Sequence, residues 1–336
     1  MERNNKMKDR FMKKIFSIIL ILSVCLLTAC GKKKDSVETY STEEITSGAQ
    51  AAGNKAVGAS QTIAILAKDA PNSDNADKIS SEAALLVDAT ANKIIFNKNA
   101  HKTEAPASTT KILTALVALK YADQKATRKI GDEVIIDEDN IVMCDYRIGD
   151  DVPFDVLLHG ALMKSGNDAA AALALFTSPT MDDFIAKMNE EAKRIGATNS
   201  HFMNPHGLDQ DNHYTTAYDL YLMFNEAIKN PQFIEAIGCK EYNSTFNRST
   251  DYGDYIIECS YSNGNAYVNG SKKAPSYVNV IGGKAGYTDN AQRCYVMLAE
   301  SGGHKYIFVT MKCATRDIMY DDLSYLLTLV PDMNAN

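Results

Sequence analysis

A helix with almost no polar side is the most restrictive thing a chain can carry, and Thr109 to Tyr121 reads as one. Ile112, Leu113, Leu116, Val117 and Leu119 are interleaved with alanine, so the stretch is apolar on nearly every face. Such a helix is stable only where other elements surround it, which places it in the middle of a domain. The chain has the material to surround it: 336 residues, 45% of them hydrophobic. Those values, with only 19 Gly and 8 Pro, exclude a collagen-like or wholly disordered chain.

Around this helix the hydrophobic period changes twice. Ala83–Asp88 and Lys93–Phe96 flank Ala89-Thr90-Ala91-Asn92, which predicts a hairpin at the start of the domain. Helical spacing recurs over Phe154–Phe176, Met181–Ile195 and Ala217–Ile228, so residues 105–230 read as predominantly helical. Beyond them Val278–Ile281, Arg293–Leu298 and Tyr306–Lys312 are strand-like. The last two join through Ser301-Gly302-Gly303-His304, and Asp321–Val330 closes the chain as a helix. Strands, helices, then strands and a helix predict an α+β fold with a helical insertion and no internal repeat.

The first thirty residues read as an address. Residues 1–14 hold six basic side chains against Glu2 and Asp9; Ile15 to Ala29 are uncharged and mostly apolar, and Cys30 follows. The apolar run is shorter than the ~20 residues a spanning helix needs, which predicts a secretory signal over residues 1–29. Leu27-Thr28-Ala29-Cys30-Gly31 resembles the bacterial lipobox. That resemblance implies cleavage before Cys30, a lipid on its sulfur, and a mature chain anchored to the outer side of the cell membrane, each buried methylene contributing ~0.8 kcal/mol. An ordinary cleaved signal and an uncleaved anchor are the alternatives, and both also place the domain outside the cytoplasm.

Residues 30–76 are rich in Ser, Thr, Ala, Gly, Lys and Glu and are expected to form a flexible tether with an end-to-end distance of roughly 35–40 Å. Only the patch at Ile63, Ile65 and Leu66 is a candidate for pairing with the domain, which is expected over 77–336. Removing the signal's net +4 from the formal −7 leaves −11. This argues against a nucleic-acid partner, whose phosphates need a basic surface. Seven cysteines without a C-x-x-C pair disfavour a zinc ribbon, a redox motif and a dense disulfide framework.

The chemistry gathers at the start of the buried helix. Ser108-Thr109-Thr110-Lys111 is the chain's S-x-x-K, and residues three apart share a helical face, so the lysine amine can reach the serine hydroxyl. Lysine serves as a base for serine only if burial and neighbouring cations lower its pKa. The helix N-terminus also offers free N–H groups for an oxyanion. Taken alone, the pattern is better explained by a helix cap and a surface lysine. Two further segments change that balance: Ser165-Gly166-Asn167-Asp168-Ala169-Ala170, and Gly282-Gly283-Lys284-Ala285-Gly286-Tyr287-Thr288. Together the three could surround one acyl group with a nucleophile, a base, a second hydroxyl, an amide and a second cation.

This ordered set resembles the serine-type D-alanyl-D-alanine carboxypeptidases, the low-molecular-mass penicillin-binding proteins, with their S-x-x-K, S-x-N and K-T-G signatures. Ala105–Lys111, Met163–Ala170, His201–Leu208 and His213–Asp219 also read like that family, so the likeness spans about 77–330. It implies a β-lactamase/penicillin-binding transpeptidase-like fold, an antiparallel sheet flanked by helices with a helical subdomain. By family role Ser108 is the acyl-enzyme nucleophile, Lys111 its base, and Ser165 a catalytic hydroxyl. Asn167, Lys284, Gly286, Tyr287 and Thr288 contact substrate, and the N–H groups of Ser108 and Tyr287 form the oxyanion hole. The implied reaction removes the terminal D-alanine from peptidoglycan pentapeptide stems, needs no metal or other cofactor, and is blocked covalently by β-lactams.

The sequence departs from the family at two places and carries further residues with plainer readings. Ala285 stands where the family has Thr, which removes a hydroxyl for the substrate carboxylate. Met319 and Tyr320 occupy the expected place of a carboxylate-binding arginine, with Arg316 nearby as a stand-in. The chain is also expected to lack the family's C-terminal β-rich domain and amphipathic anchor, the lipid on Cys30 replacing the latter. His201, His206 and His213 do not follow a metalloprotease spacing and are expected to be structural. Asp219 is expected to fix a loop or cap a helix, and Cys294 and Cys313 to lie on neighbouring strands. Alternative readings are a D,D-endopeptidase or β-lactamase-like hydrolase on the same scaffold, or a cell-wall or β-lactam-binding module that does not turn over.

Overall fold

The computed structural model describes residues 63–332. Its strands are β1 (Ala83–Asp88), β2 (Lys93–Lys98), β3 (Thr127–Lys129), β4 (Asp150–Pro153), β5 (Glu241–Thr250), β6 (Gly253–Ser262), β7 (Asn279–Thr288), β8 (Gln292–Ser301) and β9 (His304–Cys313). The α-helices are α1 (Lys111–Tyr121), α2 (Phe154–His159), α3 (Asn167–Thr177), α4 (Met181–Arg194), α5 (Ala217–Ala227), α6 (Pro231–Gly238) and α7 (Arg316–Thr328). One antiparallel sheet has the order β2-β1-β9-β8-β7; a smaller one has the order β3-β4-β5-β6.

Successive strand residues point to opposite faces, and the larger sheet uses this to serve two cores. Ala83, Leu85 and Val87 of β1 lie in one buried cluster with Val296, Leu298, Ile307 and Val309. Ala84 and Leu86, between them, lie in the other with Met297, Phe308 and α7's Leu323, Leu326 and Leu327. Both faces are therefore covered, and β1 is buried along its whole length. The first cluster also contains Ile112 to Leu119 of α1, together with residues of α3, α4 and α5. This nearly apolar helix thus lies among other helices, in the cluster that one face of the sheet also lines, the place its sequence requires.

Several expectations need correcting. The helical pattern over 154–176 is broken: α2 passes into a π-turn at Gly160–Lys164, Ser165 turns left-handed at φ 69°, and α3 begins afresh at Asn167. The smaller sheet has no counterpart in the hydrophobic pattern, because β5 and β6 are mostly polar and exposed and lack the apolar alternation of a half-buried strand. β3 and β4 interrupt the stretch read as helical. The closing helix starts at Arg316 and ends at Thr328, not at 321 and 330.

The segment expected as tether is held down from residue 63 onward. Ala64 is buried, its N–H donating to Tyr221 Oη at 2.9 Å while its carbonyl accepts from Tyr218 Oη at 3.0 Å. Further on, Asn97 donates to the Pro71 carbonyl at 2.9 Å and its own carbonyl accepts from Ser73 N–H at 2.8 Å. The Ile63–Leu66 patch packs on α5 through these groups rather than pairing as a strand. Cys294 and Cys313 do lie on adjacent strands, but they face opposite cores, and both thiols are free.

Candidate active site

Ser108 is presented by a backbone irregularity that a neighbouring glycine permits. The buried Ala107 has φ 48°, and Ala107–Thr110 form a single 3-10 turn running directly into α1. A non-glycine residue persists in that region only where its surroundings fix it. Gly207, itself at φ 89°, lays its bare α-carbon against the Ala107 carbonyl, where any Cβ would overlap the oxygen. Thr110 Oγ1 is held at 2.9 Å by His213 Nε2, whose Nδ1 accepts from Met203 N–H.

One turn on, Lys111 is wholly buried, and its Nζ lies 2.9 Å from Ser108 Oγ, 2.7 Å from Asn167 Oδ1 and 2.7 Å from the His206 carbonyl. A neutral amine has two N–H bonds and one lone pair. With Asn167 and His206 accepting the two N–H bonds, the lone pair faces the serine hydroxyl. Burial, reinforced by the charge of Lys284, holds the amine's pKa well below its ordinary 10.5. That is the condition for lysine to act as base.

The opposite wall comes from the broken helix and the sheet edge. The left-handed turn at Ser165 aims its Oγ at Lys284 Nζ, which donates to it at 2.8 Å and to the Ala285 carbonyl at 2.8 Å. Lys284 is 2% exposed, and burial lowers its pKa to about 7. β7 is the edge strand, so alternate peptide groups face away from β8. Gly286 brings that edge against the nucleophile: a Cβ there would lie 2.8 Å from the Ser108 nitrogen. That close approach brings the Ser108 backbone nitrogen to the β7 edge beside Tyr287, the neighbourhood an oxyanion hole would need.

A cavity of about 720 Å³ joins these walls. Ser108, Ser165, Asn167, Lys284, Gly286, Tyr287 and Thr288 all line it, and Lys111 lies beneath its floor. The Thr288 hydroxyl is already engaged, donating to Asp209 at 2.8 Å and accepting from Ala291 N–H at 3.0 Å. Arg316 also lines the cavity, hydrogen-bonded to the Gly264 carbonyl at 3.2 Å, with Tyr320 under its guanidinium. Cys30 lies outside the described residues.

Three contributors escaped the sequence. The Asp168 carboxylate accepts from Cys144 N–H at 2.8 Å and Tyr146 N–H at 3.2 Å, fastening the segment whose residues Glu138–Val142 line the cavity. The His206 carbonyl and the Asn263–Asn265 stretch contribute through backbone and loop position, for which a sequence offers no pattern. Asp168 stands beside a recognised motif, and that adjacency is the available signal. The histidines have protein partners: His206 Nδ1 accepts from Leu208 N–H at 3.3 Å and His201 Nδ1 meets the Asn212 carbonyl at 2.8 Å. Asp219 fixes the Asn199–Ser200 loop, while Thr216 supplies the cap of α5.

Comparison with known proteins places this geometry. The family model described as D-alanyl-D-alanine carboxypeptidase, Peptidase_S11, matches residues 70–315. The D-alanyl-D-alanine carboxypeptidase DacF of Bacillus subtilis is 33% identical over 239 residues, which cover 70% of this chain and 58% of the relative. DacB2 of Mycobacterium tuberculosis is 32% identical over 233 residues, covering 68% and 73%. Among solved structures, the DD-transpeptidase of Streptomyces K15 superposes with a TM-score of 0.68 at 26% identity, over 75% of this chain and 97% of that one. The M. tuberculosis D-alanyl-D-alanine carboxypeptidase gives 0.64 at 28% identity, over 77% and 92%.

Proposed function

Because this chain belongs to the Peptidase_S11 family of D-alanyl-D-alanine carboxypeptidases, we propose that it removes the terminal D-alanine from peptidoglycan stem peptides through an acyl-enzyme on Ser108. The observation that carries this reading is the wholly buried Lys111 amine, 2.9 Å from Ser108 Oγ and lowered in pKa beside a second buried lysine. Lys111 takes the hydroxyl proton as Oγ attacks the penultimate D-alanine carbonyl. The N–H groups of Ser108 and Tyr287 hold the oxyanion. As the tetrahedral intermediate collapses, the peptide C–N bond breaks and the proton that Lys111 took passes to the leaving amine by way of the Ser165 hydroxyl, which Lys284 holds in place, so Lys111 is neutral again. Water, deprotonated by Lys111, then cleaves the ester and restores Ser108.

In this reading the substrate carboxylate lies at the Lys284, Ala285 and Arg316 end of the cavity, and β-lactams acylate the same serine. The decisive experiment combines mass spectrometry after penicillin treatment with D-alanine release from a D-Ala-D-Ala peptide. Wild type shows both and Ser108→Ala neither; retention of both in Ser108→Ala overturns the proposal. Acylation without D-alanine release would instead favour the non-turnover binding module, a reading motivated by the missing hydroxyl at Ala285.

The lipobox-like Leu27–Gly31 supports a second part of the proposal: an extracytoplasmic lipoprotein, anchored to the cell membrane through Cys30 after removal of residues 1–29. Metabolic labelling with a fatty acid tests it, since Cys30→Ser should abolish the label. A labelled Cys30→Ser chain would refute the assignment.

A further inference from the structure

Behind Met163, whose other side lines the cavity, α2, α6 and the π-turn bring together a set of donors the proposed reaction does not use. His159 Nε2 lies 2.7 Å from Glu235 Oε2, and one donor atom each of His159, Glu235 and Cys239 fall within 4.8 Å of one another. The imidazole is oriented for this. Its Nδ1 donates to the Asp155 carbonyl at 2.7 Å, so the Nε2 that meets Glu235 is the coordinating atom, free to bind a metal once the proton it shares with the carboxylate is displaced. Tyr242 stacks on the ring at 3.7 Å and 7°, and is itself held by a 2.7 Å hydrogen bond to Asp155. Glu235 and Cys239 sit one turn apart at the end of α6, joined by the Cys239 N–H to Glu235 carbonyl bond of 2.9 Å. Met163 Sδ lies 3.3 Å from the thiol and closes the apolar side, while the Glu235 side chain is 57% exposed and leaves the other side open.

We propose that His159, Glu235 and Cys239 form a zinc site, with a water as fourth ligand on the open side. One imidazole, one carboxylate and one thiolate suit a borderline-soft cation that takes N, O and S together. Bonds of ~2.0 Å to nitrogen and oxygen and ~2.3 Å to sulfur put tetrahedral donors about 3.3–3.7 Å apart, so the three atoms need adjust by only about 1 Å. As the metal bonds form, the Cys239 proton and the proton shared by His159 Nε2 and Glu235 Oε2 both leave to water.

The placement gives the ion a task. Met163 and the π-turn run directly into Ser165, while the end of α6 abuts β7: a Cβ on Gly238 would lie 2.9 Å from the Ile281 carbonyl, three residues before Lys284. Zinc would therefore clamp the element that carries Ser165 to the one that supports Lys284. The clamp is independent of the hydrolytic reading, since it concerns metal binding and not turnover.

The test uses the full chain, reduced and stripped with EDTA, titrated with Co2+ as an optical probe and then competed with Zn2+. One equivalent of Co2+ should give a thiolate charge-transfer band that zinc abolishes. Cys239→Ser should lack the band and bind zinc more weakly by more than the ~10–100-fold lost with an outer-shell partner. Glu235→Gln, at a solvent-facing position, should weaken binding without unfolding the chain, and Cys313→Ser should retain the band. Absence of stoichiometric binding, or a band that survives Cys239→Ser, overturns the site. Penicillin labelling of the same samples reports the state of Ser108 separately.

Discussion

Restoring a hydroxyl at position 285 should strengthen recognition of the substrate carboxylate by an amount the structure constrains. Ala285 lies on the edge strand with its methyl exposed, between Lys284 and Gly286 and paired with Tyr295 of β8. Thr is β-branched and suits a strand, so Ala285→Thr adds an oxygen without displacing the core. A hydrogen bond to a charged carboxylate contributes ~1.5–3 kcal/mol, or ~10- to 150-fold. Exposure at this edge places the expected gain at the lower end, about tenfold in kcat/KM. The carboxylate is present in both ground state and transition state, so the gain should fall mainly on KM. Steady-state D-alanine release and the second-order rate of penicillin acylation measure it. Unchanged values for both would refute the argument and assign the contact elsewhere, with Arg316 the cation available in the same cavity. Arg316→Leu in both backgrounds would then decide, since with Arg316 as the contact its loss should lower kcat/KM by the same factor in the Ala285 and the Ala285→Thr chains.

Three further outcomes follow from the same geometry. Lys111 must be neutral to act and Lys284 charged to hold a carboxylate, so kcat/KM should rise as Lys111 deprotonates and fall as Lys284 titrates near its free-site pKa of about 7. Lys284→Arg should remove that alkaline limb even if the rate is lower; a surviving limb would assign it to another group. Gly207→Ala drives a Cβ into the Ala107 carbonyl at φ 89°, so strain of ~1–3 kcal/mol should lower Tm, and acylation of Ser108 should fall further than stability does; equal losses would contradict a positioning role. His213 is buried neutral with its pKa lowered to about 4 from 6.5, so the unfolded chain binds its proton first and stability is lost as pH falls through that window. Urea unfolding at pH 7 and 5 should differ by about 2 kcal/mol more in wild type than in His213→Gln, and no difference between the two chains would refute the linkage.

Where sequence and structure agree, one physical signal dominates. The nearly all-apolar α1 had to be central, β1, β8 and β9 announced themselves by runs buried on both faces, and the three motifs stood in order along the chain. The misses have equally physical causes. The pattern over 154–176 is apolar enough for one helix, and what breaks it is Gly160 and Gly166 accommodating the Cys144 thiol, a contact between distant segments. β5 and β6 bury little beyond Phe246 and Tyr261, so pairing rather than hydrophobic alternation defines them. Residues 63–76 are anchored largely through backbone groups, which composition does not report. In the site, side chains named by motif were legible, whereas the His206 carbonyl and the β7 edge became visible only once folded.

The two buried lysines explain how such a site can discriminate among ligands before chemistry begins. Each is desolvated, and the charge of Lys284 bears on Lys111, so the pair resists carrying two protons. A ligand with a free C-terminal carboxylate brings the counter-charge to the Lys284 end of the cavity and stabilises the proton there. That charge in turn keeps the proton off Lys111, leaving its lone pair directed at Ser108 Oγ. A C-terminal amide brings no counter-charge, so Lys284 loses its cation at lower pH and the field that keeps Lys111 neutral weakens. The acyl-enzyme should therefore form faster with the acid than with the isosteric amide, and the ratio should shrink in Lys284→Arg, whose side chain stays charged with either ligand. Equal acylation rates for acid and amide would show that Lys284 serves Ser165 alone, and that the carboxylate makes no contribution through it.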